Sequence, residues 1–478
     1  MDEIPIDSVP PDRFEDALGA EAVAQFASRM AGVRDQLGER TVWHVNSTSE
    51  GGGVAEMLQS VLGYPVACGI RVRWLVIDGH DDFFELTKRL HHLLHGSPGD
   101  GGPVGVGEQR QYEAALTSEA AEMLRLISPG DAVVLHDPQT LGLGPSLAER
   151  GAVVIWSCHI GADEPNEHTR AAWRFLLPYT GATRYQVFSR RQYRWEGLDA
   201  ARVAVIPPCI DVHSVKNQPL SDAQVTAVLA TSGVVSGAAP VAASFIRQDG
   251  TPGEVRSQAE MVEDVRVPTD APVVAQISRW DPLKDHRGVL TGFCAHVADD
   301  LGAHLVLAGP AAEAVHDDPE SEQTLAELRA AWSQLAPEQR RRIHIACLPM
   351  TDIEENAAIV NALQRSAAVV LQKSLAEGFG LTVAEAMWKA RPTVGSRVGG
   401  IQDQIEHGVS GLLVEPDDLP GFGAAVSSLL SDRRTAASLA RAAQQRVCDA
   451  YLAPRYLVRS FGVLTDALSD ERTRYAAN

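Results

Sequence analysis

The stretch AAVVLQKSLAEGFGLTVAEAMW, residues 367–388, decides the fold. Its first six residues form a short apolar run of strand length, EGFG is a turn, and LTVAEAMW continues with helical spacing. A strand buried on both faces and followed by a helix belongs to a parallel sheet with helices packed over it. The same unit recurs along the chain. PVVAQIS (272–278), HLVLAG (304–309), RIHIACL (342–348) and GLLVEP (411–416) surround the quoted stretch, and TVWHVN (41–46), RVRWLVID (71–78), AVVLH (132–136), AVVIW (152–156) and RVAVIP (202–207) form an earlier series. Two α/β domains follow, with the boundary near the start of the segment at 216–270, because Pro207-Pro208 ends the preceding strand and the next buried strand is far away. They are drawn as 1–215, joined by a C-terminal helix at 455–478, and 216–454. Two segments stand out. Residues 216–270, rich in small residues, Pro and Gly, read as a partly ordered insertion, and 95–109, with GSPGDGGPVGVG, as a mobile or functional loop.

The length of 478 residues allows two or three cores, and 45% hydrophobic with 22% charged residues is ordinary globular usage. With 42 Lys plus Arg against 62 Asp plus Glu, the net charge is -20, which disfavours broad nucleic-acid binding and anionic membranes. An anionic substrate therefore needs a local basic pocket. The six scattered cysteines read as mostly buried thiols of a reducing compartment. The acidic start resembles no secretory signal, and no apolar run is long enough to span a membrane, so a cytoplasmic protein is expected.

Three loops could hold an anion. Glu377 and Glu385 flank a helix start whose Leu381 and Thr382 N–H groups are free to donate, while Gly378 and Gly380 open the turn around Phe379. A ligand role accounts for both carboxylates, whereas capping needs only one. After the strand at 272–278, Arg279 and Lys284 can converge on a diphosphate, or they can pair with Asp281 and Asp285 at the surface. Gly51, Gly52 and Gly53, between TVWHVN and a helix, suit either a phosphate or a tight turn.

Strand ends in the first half add His159, Asp137, Gln139 and Asn46, each compatible with a ligand contact or with ordinary loop hydrogen bonding. His44 reads as core, and His91, His92 and His95 as a helix face. The acidic pairs Asp81-Asp82 and Asp317-Asp318 read as solvated helix starts or loops, and no D-x-D metal element is apparent.

The spacing Glu377-x7-Glu385, the Arg279 and Lys284 loop and the Gly-rich loop together resemble the retaining enzymes of glycosyltransferase family 4. HVNSTSEGGGVAEML (44–58), LHDPQT (135–140), SCHIGADEPN (157–166), VIPPCIDVHSVKN (205–217) and SRWDPLKD (278–285) resemble its trehalose glycosyltransferring synthase group. The resemblance implies a GT-B fold, two Rossmann-like domains facing a cleft with the C-terminal helix crossing back to the first. It also implies glucose transfer from a nucleotide-diphosphate-glucose to glucose, giving α,α-trehalose with retention.

By the same resemblance, Arg279 and Lys284 would hold the donor diphosphate, helped by Gly52, Gly53, Leu381 and Thr382. Glu385 would bind the ribose, Glu377 with Gly378, Phe379 and Gly380 the transferred hexose, and Leu348 the base. His159 would contact the donor sugar near the reacting centre, and Asp137, Gln139 and Asn46 are acceptor candidates. Gly161 stands where the group carries an acidic residue, a departure that bears on the acceptor rather than the donor. No permanently bound cofactor is implied, and a divalent metal is compatible but not required. The expected partners are a nucleotide sugar and a sugar acceptor, with no nucleic acid or membrane, and a homodimer is left open. Another sugar acceptor, a phosphorylase using glucose 1-phosphate, and a non-catalytic sugar-nucleotide-binding regulator are the alternatives.

Overall fold

The structure is a computed structural model and describes residues 1–49, 52–311 and 319–476. Gly51 and the pair Asp317-Asp318 lie outside the described residues. The chain divides into two compact units, Met1–Ile210 with Tyr451–Asn478, and Asp211–Ala450. These limits fall a few residues before those drawn from sequence. A parallel bridge of Ile210 with Leu452, and the Ala453 N–H donating to the Ile210 carbonyl at 3.1 Å, tie both stretches into the N-terminal unit.

The N-terminal unit holds β1 (Asp2–Ile4), β2 (Val42–Asn46), β3 (Val72–Val76), β4 (Ala132–His136), β5 (Val153–Cys158), β6 (Tyr185–Phe188) and β7 (Val203–Val205). Their order is β1-β3-β2-β4-β5-β6-β7, with every pair parallel except β1 on β3. The amino-terminal residues, whose prolines and acids gave no strand signal, thus add an antiparallel edge. β2 and β5 are buried along their whole length, which is why their sequences are mostly apolar with no alternation of polar residues onto a solvent face. The helix Ala453–Ala476 belongs to this unit. Its Tyr456, Phe461 and Leu464 line a cavity of about 30 Å³ together with His44, Val134 and Ile155 of the sheet.

The C-terminal unit contains β8 (Ser244–Ile246), β9 (Pro252–Glu254), β10 (Glu260–Val262), β11 (Val273–Ile277), β12 (His304–Pro310), β13 (Ile343–Leu348), β14 (Val369–Gln372), β15 (Thr393–Ser396) and β16 (Leu412–Val414). β8 and β9 form a separate hairpin, and the main sheet runs β10-β13-β12-β11-β14-β15-β16. Its six parallel strands, taken in chain order from β11, follow the pattern 3-2-1-4-5-6 of a dinucleotide-binding fold. Alternation along them feeds two cores. Val273, Ala275 and Ile277 face one with Val306, Ala308 and Val370, while Val274, Leu305, Leu307, Val369 and Leu371 face the other with Trp280, Phe293 and Phe422. Both units are the α/β, Rossmann-like type expected of a GT-B chain.

Residues 216–270 correct the sequence reading, because they are ordered. Ser221 and Gln224 form a reciprocal capping box that starts the helix Asp222–Thr231, whose Val225 and Val228 enter the first core with Phe245, Val255 and Val267. Arg247 at the hairpin forks onto Asp352 at 2.6 Å and Glu354 at 2.7 Å, fixing it to the start of the helix Ile353–Ser366. The end of the glycine-rich stretch is also helical, since Val106–Leu126 begins within it, with the Gly105 N–H held by the Glu108 carboxylate at 2.7 Å. Of the six cysteines, all free, Cys158, Cys209 and Cys347 are buried and the others half-buried. Among the described residues, no helix is long and apolar enough to cross a membrane.

If the hairpin is part of the core, Phe245→Ala should cost about 3–5 kcal/mol, the usual range for removing a buried ring. A urea titration reads this directly, and a loss below about 1 kcal/mol would show the hairpin to be a loosely attached insertion.

Candidate functional site

Two clusters form at carboxyl ends of strands, one in each unit. In the C-terminal unit, chain order reverses between β11 and β14, the switch point where the loops that follow diverge and leave a crevice. Arg279 and Lys284 follow β11, and Glu377 to Thr382 follow β14. The Lys284 ammonium donates to Glu377 Oε2 at 2.6 Å, and both side chains are largely buried. Gln372 Nε2 and Ser374 Oγ approach the same oxygen at 3.3 and 3.5 Å. Lys284 therefore does not pair with Asp285. Asp285 instead caps the helix His286–His296 through the Gly288 N–H at 3.0 Å and pairs with Lys373. Arg279, half-exposed, lies 3.7 Å from Asp281.

The turn that opens the next helix is held from below. Gly380 caps Leu381–Trp388 at φ 81°, a left-handed conformation that glycine adopts freely. The Gly400 N–H donates to the Gly378 carbonyl at 3.0 Å, and a side chain at Gly400 would come within 2.5 Å of the Phe379 Cα. Gln404 Nε2 donates to the Phe379 carbonyl at 2.6 Å. These contacts leave the first-turn N–H groups of Leu381 and Thr382 at a helix start that favours an anion.

Glu385 is buried. Gln364 Nε2 donates to it at 3.2 Å and the Lys216 ammonium lies 3.9 Å away. Behind it, Lys389 donates to Gln364 and Asn217 at 2.6 and 2.8 Å, and burial pushes its ammonium well below the usual range while Glu385 opposes the shift. Leu348, at the end of β13, is buried and its carbonyl accepts from the Ala311 N–H at 2.8 Å.

The N-terminal unit reverses between β2 and β4, and Asn46, His136 and Asp137 stand there. His44 Nδ1 lies 3.0 Å from His136 Nε2, and the His136 ring stacks on that of His159 with centroids 5.8 Å apart. His159 is placed at both ring nitrogens by the Ser157 and Ser189 hydroxyls, each at 3.2 Å, and its backbone N–H donates to Asp137 Oδ1 at 2.7 Å. Asp137 has φ 59° and is buried, which raises its carboxyl while His159 partly opposes this. Burial lowers all three imidazoles, His44 to about 4. Among the described residues, His136 Nδ1 and Gln139 Oε1 are buried without a hydrogen-bond partner. Asn46 donates to the Thr48 carbonyl at 3.0 Å, and Gly52 and Gly53 open the helix Gly53–Val61. Gly161 has a packing reason, since a Cβ there would come within 2.3 Å of the Tyr193 ring.

The strand ends thus bring Arg279, Lys284, Glu377 and residues 378–382 to one switch point, and Asn46, Asp137, Gln139 and His159 to the other. The sequence reading missed Gln276, Lys373, Gly400, Gln404 and the His136 platform. A glutamine inside the apolar run PVVAQIS was the available signal for the first. Among the described residues, no group of three or more His, Cys, Asp and Glu side chains could hold a metal ion.

The family described as trehalose synthase, N-terminal domain, matches residues 44–195, and that described as glycosyl transferases group 1 matches 271–432. A trehalose synthase of Rubrobacter xylanophilus is 33% identical over 91% of this chain and 90% of its own length. A trehalose phosphorylase of Pleurotus pulmonarius is 24% identical over 92% of this chain and 58% of its own. Among solved structures, an α,α-trehalose-phosphate synthase (UDP-forming) of Burkholderia vietnamiensis aligns with TM-score 0.64 at 14% identity, covering 90% of this chain and 98% of that one.

The buried imidazoles make stability depend on pH. His44, held at about 4, and His286, at about 3, stay neutral while the unfolded chain takes up protons below about pH 6.5. Their contribution is complete above that value and falls by about 1.4 kcal/mol per pH unit for each histidine as the pH drops toward the folded values. The urea midpoint should therefore be clearly lower at about pH 5 than at about pH 7, a window above the carboxylate range. Equal midpoints would contradict the burial of these rings.

Proposed function

The chain belongs to the trehalose synthase family and is a hexosyltransferase, and from that premise we propose that it transfers glucose from a nucleotide-diphosphate-glucose to free glucose, forming α,α-trehalose with retention. The observation that carries this reading is the pairing of Lys284 with Glu377 beside the helix start at Leu381, at the switch point where dinucleotide-binding folds take phosphates. Donor binding lets the diphosphate replace the carboxylate as the partner of Lys284, with Arg279 and the N–H groups of Leu381 and Thr382 completing its shell. Glu377, released from the lysine, and the backbone of Gly378, Phe379 and Gly380 then meet the hexose hydroxyls. Glu385 serves the ribose and Leu348 borders the base.

In the N-terminal unit, Asp137, Gln139, Asn46 and His159 supply hydrogen bonds to sugar hydroxyls, and Gly52 and Gly53 supply an approachable helix start. In the transfer step, the bond from the anomeric carbon to the diphosphate oxygen breaks while the acceptor oxygen bonds to that carbon on the same face. The departing oxygen takes the acceptor's proton. Arg279, Lys284 and the helix start stabilise the charge that grows on the diphosphate. The match to a trehalose phosphorylase supports a second reading, in which inorganic phosphate occupies the same shell and attacks the anomeric carbon of trehalose, giving glucose 1-phosphate and releasing glucose, whose oxygen takes the proton.

Purified enzyme given glucose with ADP-, UDP- or GDP-glucose should yield a non-reducing disaccharide and the nucleoside diphosphate. Phosphate-dependent cleavage of trehalose without any nucleotide reaction would select the second reading instead. Lys284→Ala or Arg279→Ala should each lose about 3 kcal/mol of transition-state stabilisation, a hundredfold or more in rate. Near-normal turnover in both would remove that loop from the reaction.

A further inference from the structure

Beneath Lys284 lies a set of buried contacts that binds no surface group and fastens two loops together. Gln276, fully buried in β11, donates from Nε2 to the Lys284 carbonyl at 2.6 Å and accepts the Lys373 N–H on Oε1 at 3.0 Å. One amide thus joins the residue before Asp285 to the residue after β14. The Leu375 N–H donates to the Leu283 carbonyl at 2.8 Å, a second tie between the same loops. The third is ionic. Lys373, 1% exposed, pairs with Asp285, which sits in the left-handed region at φ 46° and also caps the following helix. A buried ammonium requires such a partner, and a left-handed residue other than glycine is unusual, so this turn is imposed by its surroundings.

We propose that Lys373 and Gln276 are positioning residues for Lys284, holding its backbone so that its ammonium stands at the switch point, able to exchange Glu377 for an anionic oxygen. The inference rests on the reading of Lys284 as a diphosphate contact. Lys373 is not itself a partner in that exchange, because its ammonium is committed to Asp285. Its work is to fix the turn on which Lys284 is carried, and the Gln276 amide fixes the other side of the same residue. The two loops consequently move as one body, and the reach of Lys284 is set before any ligand arrives, which lowers the ordering cost of binding.

The test is a mutant cycle read by calorimetric binding of whichever of ADP, UDP and GDP the wild-type enzyme binds most tightly. Lys373→Met combined with Asp285→Asn removes both charges of the pair, and asparagine preserves the cap and tolerates the left-handed turn. This double variant should bind the nucleoside diphosphate about tenfold more weakly, with the KM for glucose unchanged. Introduced into Lys284→Ala, the same two substitutions should weaken binding by less than about twofold, because they act through the side chain already removed. A merely structural role would weaken both backgrounds equally and lower the melting temperature with them. That outcome, or wild-type affinity in the folded double variant, overturns the proposal. If the double variant does not fold, Gln276→Met, close in volume, is put through the same cycle with the same expectation. Lys284→Ala with undiminished affinity, or a wild type that binds no nucleoside diphosphate, would overturn the functional reading and this inference together.

Discussion

Parallel pairing of β11 with β14 in the middle of the sheet brings residues nearly a hundred positions apart together at its carboxyl end, and the rest of the C-terminal unit is organised around that pairing. Val274 lies opposite Val369 and Gln276 opposite Leu371, so both chains emerge at the same level. Chain order reverses at this seam, and nothing from the sheet itself fills the space between the two departing loops. The apolar cores on either face hold the strands, and the polar residues at their ends are left to settle among themselves. They do so by mutual satisfaction: Gln276 with Lys284 and Lys373, Lys373 with Asp285, and Lys284 with Glu377.

Most of those contacts are shielded and fully committed, which makes them a scaffold. The contact of Lys284 with Glu377 differs because it stands beside the helix start at Leu381, where an incoming anion would compete with the carboxylate for the ammonium. The N-terminal unit follows the same rule with other chemistry. There, the strand ends deliver neutral imidazoles and a buried acid, suited to hydrogen-bonding hydroxyl groups and poorly suited to neutralising phosphate. Under the proposed function, this difference in charge would give most of the anion binding to the first cluster and hydroxyl recognition to the second.

Much of this could be read from sequence because burial on both faces leaves an unmistakable apolar run, as in RIHIACL and AVVLH. β15, TVGS, and β6, YQVF, passed unnoticed, being short and carrying a glycine and a glutamine. The order of residues 216–270 was written in the S-x-x-Q pattern of Ser221 and Gln224, but small residues and prolines around it outweighed a local cap. At the candidate site, strand-end position put Lys284 and His159 among the candidates, and the spacing of Glu377 from Glu385 across a glycine turn added Glu377. The partner of Lys284 was not legible, since Asp285 is adjacent in sequence while Glu377 is near only through sheet topology. The same limit hid Lys373, whose enclosure by the fold leaves no mark in the local sequence.

Under the proposed function, the anion shell of this enzyme forms around Lys284 when it leaves Glu377. A crystal structure with the intact nucleotide-diphosphate-glucose tests it most directly. The diphosphate should lie within hydrogen-bonding distance of the Lys284 ammonium, Arg279 and the N–H groups of Leu381 and Thr382, with Glu377 turned to the hexose. A diphosphate bound elsewhere, with the contact of Lys284 and Glu377 intact, would contradict it.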